Sequence, residues 1–477
     1  MNTPAPSTVA APTTADASVA ITANDVYETT AALDALRDRL TGSISLPHDA
    51  EWDQVRSAWN LAVDQRPVAV VRALNVHDVI LTVNTARELG LRVAPQGTGH
   101  NAGALGDLSG TILLRTTAMR GVTVQPESAI ARCESGALWM DVTAPAAEFG
   151  LAALAGSSPD VGIAGYCLGG GASWLARSHG LAVNLVTAIE IVTADGLLRR
   201  VDARHEPELF WAVRGGGGNF GVVTAIEMKL FPLAEVYAGV LFFPLAKATP
   251  VLNAWRKWSR TVPESVTSVG RIMKFPPLPE LPDFLRGQSF VMVEAAMQLP
   301  ADEADRLLEP LRELDPAIDT FHPTPVRELD KLHMDPDAPV PSAGNGLMLA
   351  ELDAAAIDAF VAATASDPAL MMAEIRHLGG AAGRPAAGGG VVSHFAAPYL
   401  VFSGGMVMGP EMAQAIHAGL ARLAEALRPW TAAGMYQNFA EADCAPEAIW
   451  GEDLDRLRAI KVVYDPQNLI RANHEVL

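Results

Sequence analysis

The stretch Val93-Ala94-Pro95-Gln96-Gly97-Thr98-Gly99-His100-Asn101-Ala102-Gly103 is the most informative part of the sequence. It sets one histidine among three glycines, directly after the apolar segment 91–94. Because glycine has no Cβ, such a backbone can approach a ligand closely and direct its N–H groups at negative charge. The pattern therefore predicts a loop that holds an anion or a cofactor beside His100. A tight turn with an incidental histidine is the alternative.

The residues before this loop predict a strand–helix–strand unit. Residues 67–74 are mostly apolar and β-branched, which is typical of a strand. Residues 75–89 predict a helix, with Asn75 or His77 near its N-cap, Asp78 in its first turn and Gly90 at its end. Residues 91–94 predict the next strand. The loop with His100 then follows a strand end, a place where ligands commonly bind.

Composition limits the function. The chain has 477 residues and a formal net charge of −19, so it offers no basic face for nucleic acid. Its three cysteines have no metal-ligand spacing, which predicts no metal site and a reducing, cytoplasmic location. Residues 1–24 have no basic or continuous apolar region and predict a disordered lead-in. No apolar run approaches the length that spans a membrane, so no membrane partner is expected.

Two further glycine clusters follow the first. They occupy residues 156–171 and 214–221, and three such clusters between Gly97 and Gly221 suggest a long ligand lying against extended backbone. None contains the Lys-Ser or Lys-Thr of a P-loop, and none has the register of a dinucleotide fingerprint. The sequence also lacks an HExxH motif and a Gly-x-Ser-x-Gly elbow. Simple hydrolase and NAD-dependent chemistry is therefore not favoured.

From about residue 234 the pattern changes to an α+β domain with a mixed or antiparallel sheet. Strands are predicted at 240–243, 289–298, 347–352, 371–378, 391–399 and 400–408. Helices are predicted at 250–260, 301–314, 355–363 and 411–427.

Several motifs in order resemble one family. They are Gly97-Thr98-Gly99-His100-Asn101, Ser158-Pro159-Asp160-Val161-Gly162 with Leu168-Gly169-Gly170-Gly171, Glu208-Leu209-Phe210-Trp211 through Gly221-Val222-Val223-Thr224, and Tyr436-Gln437-Asn438-Phe439 with Lys461 and Tyr464-Asp465-Pro466. The same order is found in FAD-linked oxidases of the vanillyl-alcohol oxidase superfamily, in the berberine-bridge-enzyme-like group. The resemblance is close over residues 66–231 and returns at the C-terminus.

The resemblance implies an α+β, two-domain fold: a PCMH-type FAD-binding domain and an α+β substrate domain built on an antiparallel sheet. Residues 25–235 would form the FAD-binding domain, with its core at 66–235. Residues 236–430 would form the substrate domain, and residues 431–477 would return to the FAD domain.

The same resemblance implies which residues bind FAD. His100 matches the histidine that bonds to the flavin 8α-methyl, and a neutral imidazole can attack that electrophilic carbon. The other residues implied to contact FAD are Gln96, Gly97, Thr98, Gly99, Asn101, Gly103, Ser158, Pro159, Gly162, Gly165, Leu168, Gly169, Gly170, Asn184, Val186, Gly218, Val223 and Asn438. Some relatives add a cysteine link where this chain has Ser158, and Cys167 is out of register, so the resemblance implies attachment through His100 alone. A noncovalent flavin with His100 packed on it is the alternative.

The sequence departs from the family pattern at the usual base. A tyrosine that removes the substrate proton in several relatives is Phe439 here, so Tyr436 and Tyr399 are the candidates for catalysis. Each could also be a core tyrosine. Gln96, Arg115 and Asn184 replace a common arginine and two common aspartates. On the strand at 371–378, alternation predicts Glu374 and Arg376 on one face and His377 on the other; these residues and His394 are more often scaffold than catalyst.

The resulting prediction is a flavoprotein oxidase. A base would deprotonate an alcohol, sugar, phenol or amine donor while hydride passes to FAD, and dioxygen would reoxidise the flavin to give hydrogen peroxide. Its partners would be a small-molecule substrate and dioxygen, and the protein would be a monomer or homodimer. A dehydrogenase with another acceptor, or a flavin-binding protein without turnover, are the alternatives.

Overall fold

A computed structural model describes residues 23–442 and 444–477. The predicted lead-in at 1–24 lies almost wholly outside the described residues. The strands are β1 (Ser43–Ser45), β2 (Ala69–Arg72), β3 (Arg92–Gln96), β4 (Thr111–Arg115), β5 (Val122–Gln125), β6 (Ile130–Glu134), β7 (Leu151–Ala152), β8 (Val186–Val192), β9 (Leu198–Asp202), β10 (Val222–Lys229), β11 (Phe231–Pro232), β12 (Glu235–Pro244), β13 (Val266–Lys274), β14 (Ser289–Met297), β15 (Ile318–Asp319), β16 (His322–Pro325), β17 (Ser342–Leu349), β18 (Met372–His377) and β19 (Tyr399–Met406).

The helices separate these strands or pack over their sheets. They are α1 (Ala23–Arg37), α2 (Trp52–Val55), α3 (Val76–Leu89), α4 (Met140–Ala147), α5 (Ile163–Leu168), α6 (Ala176–His179), α7 (Pro207–Val213), α8 (Ala248–Ser259), α9 (Ala301–Arg312), α10 (Ala354–Thr364), α11 (Pro410–Leu427), α12 (Pro446–Trp450) and α13 (Leu454–Tyr464). No described helix is long and apolar enough to cross a bilayer.

Two larger sheets and a short antiparallel pair, β7 with β11, form the first half of the structure. The four-stranded sheet has the order β1-β2-β4-β3, in which β2, β4 and β3 are parallel and β1 is antiparallel to β2. The five-stranded sheet is antiparallel, in the order β5-β6-β10-β8-β9. Each sheet has its own apolar core, so the loops between them are held from both sides.

The predicted strand–helix–strand unit is confirmed as β2, α3 and β3. The Asn75 side chain accepts a hydrogen bond from the Asp78 N–H at 3.1 Å, which caps the first turn of α3. Gly90 ends the helix with a φ of +66°, a conformation that glycine adopts without strain. These local signals direct the chain into β3 and fix where the loop with His100 begins.

An antiparallel eight-stranded sheet forms the second half. Its order is β15-β12-β14-β13-β18-β19-β17, with β16 also pairing β12. Helices α8 to α11 pack on one face, where an apolar core includes Trp255 and Phe360, both fully buried. The opposite face of β18 faces the first half of the structure. The fold is therefore α+β with a substrate-side domain on an antiparallel sheet, as predicted.

The C-terminal segment returns to the first half. The ammonium of Lys461 on α13 is almost completely buried, and it donates to Asp465 at 2.6 Å and to the Asn219 carbonyl at 2.7 Å. Ile470 pairs with Val93 in a parallel bridge. Lys461 also donates to the Ile470 carbonyl at 3.0 Å. Because a buried charge is stable only when it is paired and hydrogen-bonded, this lysine connects α13 to the third glycine cluster and, through Ile470, to β3.

One strand prediction is wrong. Residues 391–398 form an irregular segment, and β19 begins only at Tyr399. The Val391 and Val392 N–H groups donate to the carbonyls of Trp211 and Arg214 instead of to a neighbouring strand. The apolar side chains of this segment are buried by packing beside the third glycine cluster, so burial without sheet pairing explains the apolar pattern.

Candidate functional site

A cavity of about 450 Å³ lies between the two halves of the structure. Its walls come from the loops after β3, β7 and α7, from α5 and the C-terminal segment, and from β17, β18 and β19 of the large sheet. All three glycine clusters contribute to one side. A ligand in this cavity would contact both halves at once.

His100 is held at the cavity wall by its loop and by Trp59. Gly99 has a φ of +89°, and a Cβ there would come within 2.9 Å of the Ala58 Cβ, so the turn requires glycine. The imidazole stacks on the Trp59 ring with centroids 4.0 Å apart. The backbone N–H of Trp59 donates to the Thr98 carbonyl at 3.0 Å. The orientation of the imidazole is therefore set on one face by an aromatic ring.

Asp160 lies at the edge of the same imidazole. Its Oδ1 is 3.3 Å from His100 Nε2, a charge contact without hydrogen-bond geometry. It also accepts from the Trp59 indole N–H at 2.5 Å and from the Ser158 hydroxyl at 2.9 Å. Burial alone would raise the pKa of Asp160, but His100, Trp59 and Ser158 together hold it below its ordinary value. A carboxylate beside Nε2 favours the tautomer with the proton there, which leaves the Nδ1 lone pair free.

Some glycines at the cavity are not explained by packing. A Cβ on Gly97 would meet no atom closer than 4.0 Å, one on Gly218 none closer than 3.7 Å, and one on Gly165 none within 4 Å. These residues line the cavity and do not have left-handed backbone conformations. Their lack of a side chain keeps space open for a ligand, which fits the close backbone approach expected for a cofactor.

Buried polar atoms at the same walls have no hydrogen-bond partner among the described residues. They include both amide atoms of Gln96, Asn101 Oδ1, Ser135 Oγ and the Tyr166 hydroxyl oxygen. Because an unpaired buried polar group is costly, these atoms indicate that a polar ligand completes the site. The donor and acceptor set suits the edge of a flavin nucleotide.

Tyr436 is one of the residues that line the cavity. The hydroxyl oxygen accepts from the Ala172 N–H at 3.1 Å and from the Asn438 amide at 2.9 Å. Burial raises the pKa of Tyr436, and these two donors and the charge of Arg376 act in the opposite direction. With both lone pairs occupied by donors, the hydroxyl proton is left for an acceptor in the cavity.

Tyr399 lies elsewhere. It is 4% exposed, belongs to the core under the large sheet and stacks with His377 at 6.0 Å. His377 contacts Arg177 at 2.9 Å, and burial and that charge lower its pKa to about 3. Neither Tyr399 nor His394 lines the cavity. Glu374 and Arg376 do line it, on the face of β18 opposite to His377, as alternation predicted.

The predicted FAD-contacting residues are mostly gathered at this cavity. Its lining includes His100, Gln96, Gly97, Thr98, Gly99, Asn101, Ser158, Gly162, Gly165, Leu168, Gly169, Gly218, Val223 and Asn438. Gly103, Pro159, Gly170, Asn184 and Val186 lie outside that lining. The Asn184 amide donates to the Ser393 carbonyl at 2.8 Å, and Val186 is buried in the core at the start of β8.

Sequence reasoning did not identify several residues at the cavity. Trp59, Asp335 and Glu441 lie there because of contacts across long chain separations, for which no local pattern exists. Burial raises the pKa of the Glu441 carboxyl to about 7. Tyr166 had a usable signal, since it is the only tyrosine inside the second glycine cluster. Burial raises its pKa well above the ordinary range.

Comparisons with known proteins agree with this site. The family described as "FAD binding domain" matches residues 67–202, and "Berberine and berberine like" matches residues 435–476. The (R)-6-hydroxynicotine oxidase of Paenarthrobacter nicotinovorans is 36% identical over 194 residues, 41% of this chain and 42% of that protein. The alignment thus spans less than half of that relative's length.

Two similarities cover almost the whole chain. The uncharacterized FAD-linked oxidoreductase YgaK of Bacillus subtilis is 27% identical over 463 residues, 92% of this chain and 98% of that protein. The structure of Physcomitrella patens BBE-like 1 superposes with a TM-score of 0.82 at 19% identity, covering 93% and 99% of the two chains. The chain belongs to the FAD-linked oxidoreductases of the vanillyl-alcohol oxidase superfamily, in the berberine-bridge-enzyme-like group.

Proposed function

We propose that this protein is an FAD-dependent oxidase with the flavin attached covalently to His100. When bound, FAD would accept a hydride at N5 from an alcohol, sugar, phenol or amine donor and pass the electrons to dioxygen, giving hydrogen peroxide. The observation that best supports the proposal is the His100 imidazole at the wall of the cavity, in the same lining as unpartnered polar atoms and open glycines. The name of the (R)-6-hydroxynicotine oxidase supports an oxidase rather than another acceptor.

The proposed division of labour follows the two halves of the structure. Residues 25–235, with the returning segment 431–477, would hold the cofactor, and residues 236–430 would hold the donor above it. The lining of the cavity by loops of the first half and by β17 to β19 supports this division. A cytoplasmic location stays a prediction from the cysteine content.

Tyr436 is the proposed base. Its oxygen accepts hydrogen bonds from Ala172 and Asn438, and those donors would stabilise the phenolate that forms when Tyr436 has lost its proton. The phenolate would then take the proton from the hydroxyl or amine of the donor. Tyr399 stays the alternative base from the sequence, although its ring lies in the core of the large sheet.

Oxygen consumption tests the proposed activity. We expect the purified yellow protein to be reduced anaerobically by at least one donor in a panel of alcohols, sugars, phenols and amines, and to form one peroxide per turnover in air. A flavin that stays reduced in air, and is reoxidised for turnover only when a quinone is added, would identify a dehydrogenase. A flavin that dithionite reduces and no donor reduces would contradict enzymatic turnover.

Asp160 is expected to assist the attachment of flavin. The substitution Asp160→Asn removes the negative charge beside His100 Nε2. The tautomer with its proton on Nε2 is then less favoured, and the Nδ1 lone pair is free in a smaller fraction of the molecules. Residues that orient a functional histidine typically contribute about 10- to 100-fold. We therefore expect covalent incorporation to slow by about that factor, measured as acid-stable flavin against time after FAD is added to apoprotein.

The matched control is Asp455→Asn, which removes an exposed carboxylate from α13. That variant should incorporate flavin at the rate of the unaltered protein. Incorporation by Asp160→Asn at the same rate would show that the carboxylate has no part in the attachment.

A further inference from the structure

A chain of buried charged groups lies beneath the substrate side of the cavity. Glu294 Oε2 is 2.6 Å from His333 Nδ1, and His333 Nε2 is 2.8 Å from Glu374 Oε2. Both ring nitrogens face carboxylates, and an imidazole donates from both only when it is protonated. Burial and Arg271 lower the pKa of His333, but Glu294 and Glu374 outweigh them and raise it to about 9. His333 is therefore a cation near neutral pH.

An arginine lies at each end of this chain. Arg271 is 3.3 Å from Glu294 and donates to the His333 carbonyl at 2.8 Å. Arg376 donates from Nε to Glu374 Oε1 at 2.6 Å. The cations Arg271, His333 and Arg376 are balanced by the carboxylates Glu294 and Glu374 together with Asp335, whose negative charge acts on both His333 and Arg376. A buried cluster with balanced charge needs no further ion, so what it offers a ligand is the hydrogen-bond donors that it leaves unused.

The unpaired part of this cluster is the outer end of Arg376. Its Nη2 is 3.5 Å from His333 Nε2, which is itself a donor, so the two do not form a hydrogen bond. Among the described residues, Nη1 has no hydrogen-bond acceptor. The guanidinium carbon lies 4.9 Å from the centre of the Phe439 ring, which supports one face of the group. Arg376 is thus held in place by Glu374 and Phe439, lines the cavity, and has two Nη atoms without an acceptor among the described residues.

Other charged groups line the cavity, and one of them, Asp335, lies near enough for its charge to act on Arg376. Asp335 accepts a hydrogen bond from the Ser157 hydroxyl at 3.1 Å. Glu441 accepts from the Gly344 N–H, and Asp160 pairs with His100. None of these carboxylates forms a hydrogen bond or an ion pair within 4 Å with Arg376, so its Nη atoms stay available as donors. Among the described residues, the favourable place for an anionic group is therefore the outer end of Arg376.

We propose that Arg376 binds a carboxylate of the substrate, so that the donor oxidised at this site is an alcohol or amine that also carries a carboxylate group. The geometry suits a paired contact, because a planar guanidinium with free Nη atoms matches the two oxygens of a carboxylate. This inference rests on the proposed function for the identity of the site, and it adds the class of substrate.

The test is calorimetric titration of the purified holoenzyme with acid–amide pairs of equal shape: acetate and acetamide, benzoate and benzamide, phenylacetate and phenylacetamide. At least one acid should bind more tightly than its amide. Arg376→Gln should weaken that acid about 10- to 100-fold, the range for a lost charge-assisted hydrogen bond, and leave the amide unchanged. Arg376→Lys should give an intermediate affinity, because the positive charge stays but the paired N–H donors of the planar guanidinium are lost.

Arg384→Gln is the control, since Arg384 is an exposed arginine paired with Glu264 on the surface. It should bind every ligand as the unaltered protein does. The proposal is overturned if no acid binds more tightly than its amide, or if Arg376→Gln weakens acid and amide equally. The FAD content of the protein is measured by absorbance before the titration, so a protein that binds no FAD would contradict the proposed function separately from this inference.

Discussion

Replacement of His100 by alanine should abolish acid-stable flavin while leaving noncovalent FAD binding. The cavity keeps its open glycines and unpartnered polar atoms in this variant, so FAD added in excess should still bind. Without the bond, the ring is no longer fixed against the substrate wall, and misplacement of reacting atoms by about 1 Å costs about 10²-fold in rate. We expect flavin reduction by the donor to slow by about that factor, measured by stopped-flow absorbance under anaerobic conditions.

The midpoint potential of the bound flavin should also fall in His100→Ala, since attachment to a protein residue raises it. A suitable control is His205→Ala, because His205 is exposed and contacts Asp202 at the surface. That variant should keep its acid-stable flavin in full. Covalent flavin that survives in His100→Ala would place the attachment at another residue.

Replacement of Tyr436 by phenylalanine should have the largest effect on turnover. It removes one hydroxyl that accepts hydrogen bonds from Ala172 and Asn438, and leaves the ring packed against Phe395 and Phe439. Loss of a general base costs about 10²- to 10⁴-fold. We expect flavin reduction to slow within that range at an unchanged flavin content, and the rate to lose the rise with pH that accompanies formation of the Tyr436 phenolate.

Two companion variants make this result specific. Tyr464→Phe removes a hydroxyl that contacts Glu206 away from the cavity, and it should reduce flavin at the original rate. Tyr399→Phe tests the other candidate. If Tyr399→Phe is slowed in the stated range and Tyr436→Phe is not, Tyr399 is the base, acting from a site that the core packing does not suggest.

Sequence reasoning predicted the parts of the site that depend on local signals. The cap at Asn75, the turn at Gly90 and the glycines around His100 are all encoded within a few residues. Strand alternation alone predicts that Glu374 and Arg376 lie on the same face of β18.

The parts that depend on strand neighbours could not be predicted. His333 meets Glu294 and Glu374 because β14, β13 and β18 are adjacent in the sheet, and the sequence does not specify that order. β13 was not predicted, since its residues are buried on both faces and lack alternation. The predicted strand at 391–399 failed for a related reason: an apolar run reports burial, and sheet pairing is only one way to be buried.

The most direct test of the account is the mass of the denatured protein and of its tryptic peptides. Cleavage after Arg92 and Arg115 releases residues 93–115, in which His100 is the only histidine. We expect the intact protein to exceed its polypeptide mass by one FAD, and fragmentation of peptide 93–115 to place the flavin on His100. A bare polypeptide mass, with FAD entirely in the supernatant, would contradict covalent attachment. Flavin on any other peptide would contradict the role assigned to His100.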